Sequence, residues 1–217
     1  MSERGRKFVL FDFDGVIADS FAVNREVSKR ICPHITEEMH RTAFETNIHD
    51  AYPELIKGAH GPECHHNLRW EDEYIPLFRK SGRLFSGIAD AITHLAQDYQ
   101  LLLVSSAATN IIREFLEKHS LAGYFVDIMG NDVHRSKIEK MRMIFNAYDT
   151  TAGNCIFITD TLGDMREAQA HAVGTIGCSW GVHPHETLQK GIPFRVVDHP
   201  SELPDAVGDY FAQNTPN

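Results

Sequence analysis

The sequence lacks several features that would set it apart from ordinary soluble proteins. No apolar run approaches the roughly 20 residues that a membrane-spanning helix needs. Residues 1–7 lead directly into a short apolar run, which leaves no room for the apolar stretch of a signal peptide. There is also no low-complexity tract and no internal repeat. We therefore expect a cytoplasmic protein without a membrane segment.

Cysteine is scarce and has no recognisable spacing. The four cysteines are Cys32, Cys64, Cys155 and Cys178, and none of them forms the C-x-x-C pattern that is typical of zinc sites and redox pairs. Thiols of cytoplasmic proteins are usually kept reduced. We therefore expect all four cysteines to be free.

Basic residues are fewer than acidic ones. The chain has 21 Lys and Arg against 30 Asp and Glu, so its formal net charge is -9. This balance disfavours sequence-independent binding to nucleic acid or to an anionic membrane surface. A length of 217 residues, with 42% hydrophobic and 24% charged residues, fits one large globular domain or a core domain with a modest insertion. The sequence does not indicate an oligomeric state.

Short apolar runs alternate with helical patterns along most of the chain. The runs are Phe8–Phe11, Leu101–Val104, Phe125–Met129 and Cys155–Ile158, with residues 173–179 and 194–197 as further candidates. The helical patterns cover Ile88–Gln97, Thr109–His119, Lys137–Ala147, Met165–Ala172 and Ser201–Phe211. Unbroken apolar runs are typical of strands buried on both faces. The sequence therefore predicts an α/β fold with a mostly parallel, Rossmann-like sheet flanked by helices.

The stretch from about Phe21 to Arg83 interrupts this alternation. It contains no strand-like run and is predicted to form helices over Phe21–Ile31, after an N-cap at Thr36, and from near Pro62. We therefore predict a core domain formed by residues 1–18 and 84–217, and a small helical domain formed by residues 19–83.

Polar residues follow three of the predicted core strands. They are Asp12 and Asp14 after the first run, Ser105 and Ser106 after the second, and Asp160 and Asp164 after Cys155–Ile158. Each one alone is compatible with a helix N-cap or a turn. Ligands of open parallel sheets bind at the carboxyl ends of the strands, however, so three polar strand ends together indicate a functional site.

These residues resemble the haloacid dehalogenase superfamily. Its first motif, an apolar strand followed by D-x-D-G, is matched by residues 12–15, and its second, a Ser or Thr at a strand end, by Ser105. Its acidic pair is matched by Asp160 and Asp164 in TDTLGD. The likeness extends over the whole core and is similar in overall pattern to the phosphoglycolate phosphatases. It implies a phosphatase in which residues 19–83 form a mobile cap that selects the substrate.

The chemistry of phosphate esters accounts for the residue types at the first motif. A carboxylate can attack phosphorus and form an aspartyl-phosphate, and Asp12 is the predicted nucleophile. Asp14 is the predicted acid and base, which protonates the leaving oxygen and later activates water. Carboxylates crowded around a phosphate call for a hard cation such as Mg²⁺. The resemblance implies Asp12, the backbone carbonyl of Asp14 and Asp160 as its ligands, with Asp164 acting through water or the lysine.

The family's third motif is a lysine at a helix start. Lys137 in HRSKIEKM opens the predicted helix and is the favoured candidate, but Lys140 lies one turn further on and stays open as the alternative. Many relatives have Pro after this lysine, whereas Ile138 follows here. We expect a small phosphorylated metabolite to be the partner, with Gly15, Ser105, Ser106, Lys137 and Arg69 contacting it.

Other candidate residues for substrate selection lie in the insertion. They are Arg41, His60, His65, His66 and Trp70. Discrimination between substrates has to come from this segment, because the core groups recognise only phosphate and metal.

Two alternatives to a phosphatase remain within the same fold, a phosphosugar mutase and a catalytically silent binding protein. Dehalogenases lack the second aspartate, so Asp14 argues against them. Phosphosugar mutases similar to β-phosphoglucomutase carry a histidine shortly after the first motif, where this sequence has Asn24. A catalytically silent binding protein is expected to have lost at least one charged motif position, and none is missing here.

Overall fold

A parallel six-stranded sheet lies at the centre of the computed structural model, which describes residues 6–58, 61, 63–65 and 68–214. The strands are β1 (Phe8–Phe11), β2 (Ala18–Asp19), β3 (Arg83–Leu84), β4 (Gln100–Val104), β5 (Phe125–Met129), β6 (Cys155–Thr159), β7 (Gly174–Cys178) and β8 (Arg195–Val197). The order across the sheet is β5-β4-β1-β6-β7-β8, and each neighbouring pair is parallel. The predicted α/β fold class is confirmed.

Helices connect these strands and cover the sheet. They are α1 (Phe21–Ile31), α2 (Glu37–Ala43), α3 (Ile48–Gly58), α4 (Trp70–Ser81), α5 (Ile88–Leu95), α6 (Thr109–Lys118), α7 (Lys137–Ala147), α8 (Leu162–Gln169), α9 (His185–Gln189) and α10 (Leu203–Gln213). None of the helices in the described part of the chain combines the length and the apolar character that a membrane span requires.

The central strand β1 is buried on both faces. Phe8 and Leu10 belong to the apolar cluster on one face of the sheet, whereas Val9 and Phe11 belong to the cluster on the other. Successive side chains of a strand point to opposite faces, so a strand covered on both sides contains no polar residue. The edge strand β5 differs, because Val126 is exposed.

The chain changes direction across the sheet at β1. Strand β1 pairs with β4 on one side and with β6 on the other. The carboxyl ends of these three strands therefore lie next to one another, at a switch point where open α/β sheets bind ligands.

The insertion, called the cap segment (residues 19–83), leaves and rejoins the core through a short antiparallel pair. In this pair Ala18 faces Leu84 and Asp19 faces Arg83. Helix α1 has the predicted bounds. Helix α2 begins after Thr36, whose hydroxyl accepts a hydrogen bond from the Met39 amide at 3.1 Å, as an N-cap does.

The second half of the cap segment differs from the prediction. Helix α3 was not expected. Its interior contains Pro53, and a proline inside a segment usually indicates that the segment is not helical. The predicted start of a helix near Pro62 is wrong. Residues 63–65 and 68–69 are not helical, and α4 begins at Trp70. Pro62 itself lies outside the described residues.

The cap segment shares its apolar packing with the core. Val23 and Val27 of α1 and Phe78 of α4 belong to the same apolar cluster as the residues on one face of the sheet. The division of the chain into two domains at residues 19 and 83 stays a prediction.

Two cysteines that were expected to be free are paired. Cys32, at the end of α1, forms a disulfide with Cys64, and their Cα atoms are 4.4 Å apart. The sequence showed no motif because 32 residues separate them, and only the folding of the cap segment brings them together. Cys155 and Cys178 are free and buried, as expected.

Candidate active site

The turn after β1 carries the two aspartates of the first motif. Asp12 is buried, and its amide donates a hydrogen bond to the Ile158 carbonyl of β6 at 2.9 Å. Gly15 has a φ of +78°, and a Cβ added there would collide with the Asp160 carboxylate. Only glycine satisfies both conditions, which explains the D-x-D-G pattern.

A buried lysine joins two carboxylates at the carboxyl edge of the sheet. Nζ of Lys137 lies 2.9 Å from Oδ2 of Asp12 and 2.7 Å from Oδ2 of Asp164. Lys137 is the first residue of α7, so the start of this helix directs its side chain into the site. The structure thus brings together three residues that the sequence places far apart.

The alternative lysine has different partners. The ammonium group of Lys140 donates to the carbonyl oxygen of Ser105, and a longer contact of 3.5 Å joins it to the carbonyl of Met129. Burial, followed by the charge of Lys137, lowers the pKa of Lys140 to about 8. The structure therefore places Lys137 among the carboxylates, whereas Lys140 contacts backbone carbonyls that follow β4 and end β5.

Asp160 and Asp164 occupy different environments. Oδ2 of Asp160 accepts a hydrogen bond from the Val182 amide at 2.7 Å, whereas its Oδ1 is buried without a hydrogen-bond partner. Oδ2 of Asp164 accepts hydrogen bonds from Lys137 and, at 2.7 Å, from the Thr159 hydroxyl. An unpaired buried carboxylate oxygen is costly, so Asp160 has an open coordination position.

The carboxylates repel one another strongly. Burial raises the pKa of Asp12, and the charges of Asp164 and Asp160 raise it further, against the opposing effect of Lys137. Burial also raises the pKa of Asp160, to about 7. Burial acts in the same direction on Asp164, but Lys137 and the hydrogen bonds outweigh it and lower that pKa. Asp12 and Asp160 therefore hold their protons more readily than usual, because one lysine does not compensate for the burial and crowding of the carboxyl groups.

Burial lowers the pKa of Lys137, but the neighbouring carboxylates of Asp12 and Asp164 outweigh it, so the net effect is a pKa above the usual value. Lys137 is 2% exposed and remains a cation at any physiological pH. It is a fixed positive charge at the edge of the sheet.

Ser105 directly follows β4 and is buried beside the site. Its amide donates to the Met129 carbonyl at 3.0 Å, and its hydroxyl oxygen accepts from the Ala107 amide at 3.0 Å. The hydroxyl proton is therefore free to donate to a ligand. Ser106, next to it, also faces the cavity described below.

Asp14 has a partner in the cap segment that the sequence did not indicate. The hydroxyl of Tyr74, in α4, donates a hydrogen bond to Oδ1 of Asp14 at 2.8 Å. Burial raises the pKa of Asp14, and the hydrogen bonds from Ser20 and Tyr74 oppose this effect. Sixty residues separate the pair, so no spacing pattern could have found it.

His183 links the loop after β7 to both the core and the cap segment. Its Nδ1 accepts a hydrogen bond from the Leu162 amide at 3.0 Å, so its Nε2 carries the proton and donates to the Arg41 carbonyl at 3.0 Å. The Arg41 guanidinium in turn donates to the Val182 carbonyl. This loop therefore positions Asp160 through Val182 and holds α2 through His183.

A cavity of about 360 Å³ lies between the core and the cap segment. Of the predicted core residues, it is lined by Asp12, Asp14, Gly15, Ser105, Ser106, Lys137 and Asp164. Asp160 is buried behind Gly15 and does not line it. Lys137 nevertheless joins Asp12 to Asp164, and Asp160 lies against Gly15, so these residues form one connected group.

The cap residues predicted to select substrate are placed differently. Arg69 is exposed and does not line the cavity, because it precedes α4 at the surface. Its neighbour Trp70 does line it, whereas Arg41 and His65 do not. His60 and His66 lie outside the described residues.

The described residues contain no group of three or more His, Cys, Asp or Glu side chains arranged as a complete metal shell. A magnesium site needs fewer protein ligands, because Mg²⁺ keeps several waters and binds one or two carboxylates together with substrate oxygens. Asp12 and Asp160, with the open Oδ1 of Asp160, fit that smaller requirement.

Comparisons with known proteins identify the family. The family described as haloacid dehalogenase-like hydrolase matches residues 9–178. A phosphoglycolate phosphatase from Vibrio parahaemolyticus is 22% identical over 95% of this chain and 98% of its own length.

Solved structures share the fold. A haloacid dehalogenase-like hydrolase from Streptococcus pneumoniae superposes with a TM-score of 0.76 at 15% identity, covering 94% of this chain and 99% of that chain. A haloacid dehalogenase-like protein from Agrobacterium tumefaciens gives 0.78 at 17% identity, with the same coverage of 94% and 99%. Since the family match spans well over half of the sequence, the chain belongs to the haloacid dehalogenase-like hydrolase family.

Proposed function

We propose that this protein is a Mg²⁺-dependent phosphatase that hydrolyses a small phosphomonoester through a phosphorylated Asp12. The observation that carries the proposal is the contact of Lys137 with both Asp12 and Asp164, at the end of the cavity that Asp14 also lines. The names of relatives such as the Vibrio parahaemolyticus phosphatase support the same reaction class.

In the first step, a carboxylate oxygen of Asp12 attacks phosphorus and the bond from phosphorus to the ester oxygen breaks. Asp14 donates its proton to that oxygen, so the product leaves as a neutral alcohol. The raised pKa of Asp14 favours the protonated form that this role needs.

In the second step, Asp14 takes a proton from water while the water oxygen attacks phosphorus. The bond between phosphorus and Asp12 breaks, which releases inorganic phosphate and restores the Asp12 carboxylate. Asp14 is again protonated, so the two steps leave the enzyme unchanged.

The phosphate oxygens need donors and positive charge. Lys137 supplies the cation, and the Ser105 hydroxyl supplies a free proton donor at the end of β4. The amino end of α6 follows the same turn and adds its favourable dipole.

The carboxylate set fits a divalent cation. Asp12, Asp160 and the backbone carbonyl of Asp14 are the proposed ligands, with Asp164 acting through Lys137 or a water molecule. A bound Mg²⁺ would neutralise carboxylate and phosphate charge, which allows the attack of one anion on another.

The mutase alternative has less support. Asn24 lines the cavity where the mutases carry a histidine, and its amide lies 3.4 Å from the Ser20 hydroxyl. Unlike a histidine, a side-chain amide does not act as a general acid or base near neutral pH. A hydrolase therefore accounts better for this position.

The proposal is tested by phosphate release from acetyl phosphate and p-nitrophenyl phosphate, with Mg²⁺ and with a chelator. We expect Asp12→Asn to lose at least about a thousandfold in kcat, because removal of a nucleophile leaves only binding and charge stabilisation. Asp98→Asn, the same change at an exposed position, is the matched control and should keep the wild-type rate. Wild-type turnover by Asp12→Asn, or turnover that persists in the chelator, would contradict the proposal.

A further inference from the structure

Aromatic rings line the cap side of the cavity. Phe21, Phe44, Tyr52, Trp70 and Tyr74, all in the cap segment, line it. The ring of Tyr52 meets Trp70 edge-on at 4.9 Å between centroids, and Trp70 stacks on Tyr74 at 6.2 Å with 19° between planes. Helices α1, α3 and α4 each contribute, and Phe44 directly follows α2. The rings of Tyr52, Trp70 and Tyr74 thus form one connected aromatic group on the cap side, which also includes the polar residues Ser20, Asn24, Thr46 and His49.

The described cap residues that line the cavity include no Lys and no Arg. The charged cap residue among them is Glu71, an exposed acid in the first turn of α4. His40 also lines the cavity, but burial, together with Arg25 and Arg41 and against Glu37, lowers its pKa to about 4. Burial likewise lowers the pKa of His49. The aromatic side of the cavity is therefore neutral or acidic at neutral pH.

Positive charge in the described lining belongs to the core. Lys137 is engaged by Asp12 and Asp164, and Arg135 lies in the exposed turn that precedes α7. Both cations belong to the core side of the lining, and the charge of Arg135 reaches His49 on the cap side.

The space and the lining suit an apolar group. A volume of about 360 Å³ falls in the usual range for small-molecule sites, which are mostly apolar with a few polar groups. Aromatic walls gain most by covering flat apolar or aromatic surface. A carboxylate placed against the rings of Tyr52, Trp70 and Tyr74 would lose its hydration, and the described cap residues that line the cavity include no Lys or Arg to compensate.

We propose that the substrate body beyond the phosphate is uncharged and apolar, with an aromatic or similarly flat group that packs on the rings of the cap segment. This inference rests on the phosphatase function proposed above. It separates this chain from the activity in its relatives' name, since the body of phosphoglycolate is a carboxylate.

The inference is tested with three esters that leave as alkoxides, so that the bond broken is matched. They are 2-phenylethyl phosphate, ethyl phosphate and phosphoglycolate, and acetyl phosphate serves as a small reporter of the core chemistry. For the wild-type protein we expect kcat/KM for 2-phenylethyl phosphate to exceed that for phosphoglycolate by at least about tenfold, a ratio that an apolar pocket typically achieves.

Two variants separate the aromatic contact from the charge. Trp70→Leu should lower kcat/KM for 2-phenylethyl phosphate several-fold more than for ethyl phosphate. Tyr124→Leu, at an exposed position outside the cap segment, is the control and should not change this ratio. Glu71→Lys should raise kcat/KM for phosphoglycolate several-fold. Asp72→Lys adds the same charge to the same turn at an exposed residue that does not line the cavity, and should have no such effect.

The outcomes distinguish the two levels of the proposal. Preference for phosphoglycolate over 2-phenylethyl phosphate, with normal acetyl phosphate turnover, would overturn the apolar substrate and leave the phosphatase intact. Equal kcat/KM for all three alkyl esters would overturn it as well. Failure to hydrolyse acetyl phosphate or any ester would overturn the phosphatase, and with it the inference.

Discussion

Lys137 shows how one side chain can organise several distant segments of sequence. It is buried, begins α7, and contacts carboxylates that follow β1 and β6. A lone buried ammonium would be strongly unfavourable, whereas a lysine between two carboxylates is stabilised by both. Crowding these charges costs free energy at the site, and packing elsewhere in the fold offsets that cost.

The hydroxyl of Tyr74 is a positioning group for the proposed acid Asp14. We predict that Tyr74→Phe lowers kcat about tenfold for ethyl phosphate, whose alkoxide needs a proton, and much less for p-nitrophenyl phosphate, whose leaving group does not. The measurement is kcat for both esters, with Tyr124→Phe at an exposed position as control. An equal loss on both esters would mean that the hydroxyl only supports the packing of α4.

His40 makes the stability of the fold depend on pH. It is buried among aromatic rings, and its pKa in the folded state is lowered to about 4 from the ordinary histidine value of 6.5. Between these values the unfolded chain binds more protons than the folded chain, so stability falls as pH decreases through this window.

We predict that the wild-type protein loses about 2 kcal/mol more than His40→Gln in free energy of unfolding between pH 7 and pH 5. Urea denaturation at both pH values measures this difference. His94→Gln, on an exposed surface of α5, should follow the wild-type protein. Identical pH dependence of the wild-type protein and His40→Gln would show that His40 is not held neutral.

At the scale of elements, α8 binds the backbone of the cap segment through several hydrogen bonds. The Gly163 amide donates to the Phe44 carbonyl at 3.0 Å, and the Arg166 guanidinium donates to the Glu45 carbonyl at 2.7 Å. Asn47 adds a hydrogen bond of 3.1 Å to Glu167. The backbone after α2 thus lies directly on the first turns of the helix that carries Asp164.

Gly163→Ala should weaken this docking. An added Cβ would lie 2.5 Å from the Thr46 carbonyl oxygen, so residues 44–46 would have to move away from α8. We expect at least a tenfold loss of kcat/KM for 2-phenylethyl phosphate and faster proteolysis of the cap segment. Gly208→Ala in α10 is the matched control, because nothing lies within 4 Å of its added Cβ and alanine favours a helix by up to about 1 kcal/mol. Unchanged kinetics and proteolysis for Gly163→Ala would contradict the docking role.

For the whole molecule, the sequence predicted the alternating strands and helices of the core, but it did not predict the contacts between the cap segment and the core. The apolar runs of β1, β4 and β6 were recognisable because both faces of these strands are buried. The polar strand ends followed from the same pattern. By contrast, the contact of Tyr74 with Asp14 depends on the path of the cap segment, which local spacing does not encode.

The cap segment itself was the least predictable part. Helix α3 contains Pro53, and the disulfide partners Cys32 and Cys64 have no motif spacing. Arg69 was predicted to contact the substrate, but it lies exposed before α4 and does not line the cavity, whereas its neighbour Trp70, also a candidate, does. Charge and residue type cannot show which side of a helix start faces inward.

The central claim is that Asp12 becomes phosphorylated, and it is tested most directly by mass spectrometry of the protein quenched with acid during turnover of acetyl phosphate. We use Asp14→Asn to slow hydrolysis of the intermediate, with Asp12→Asn as the unlabelled control. The expected result is one phosphoryl group on the peptide that contains Asp12 and none in the control. Phosphate release by a protein whose Asp12 peptide never carries phosphoryl, or a label on another residue, would contradict the claim.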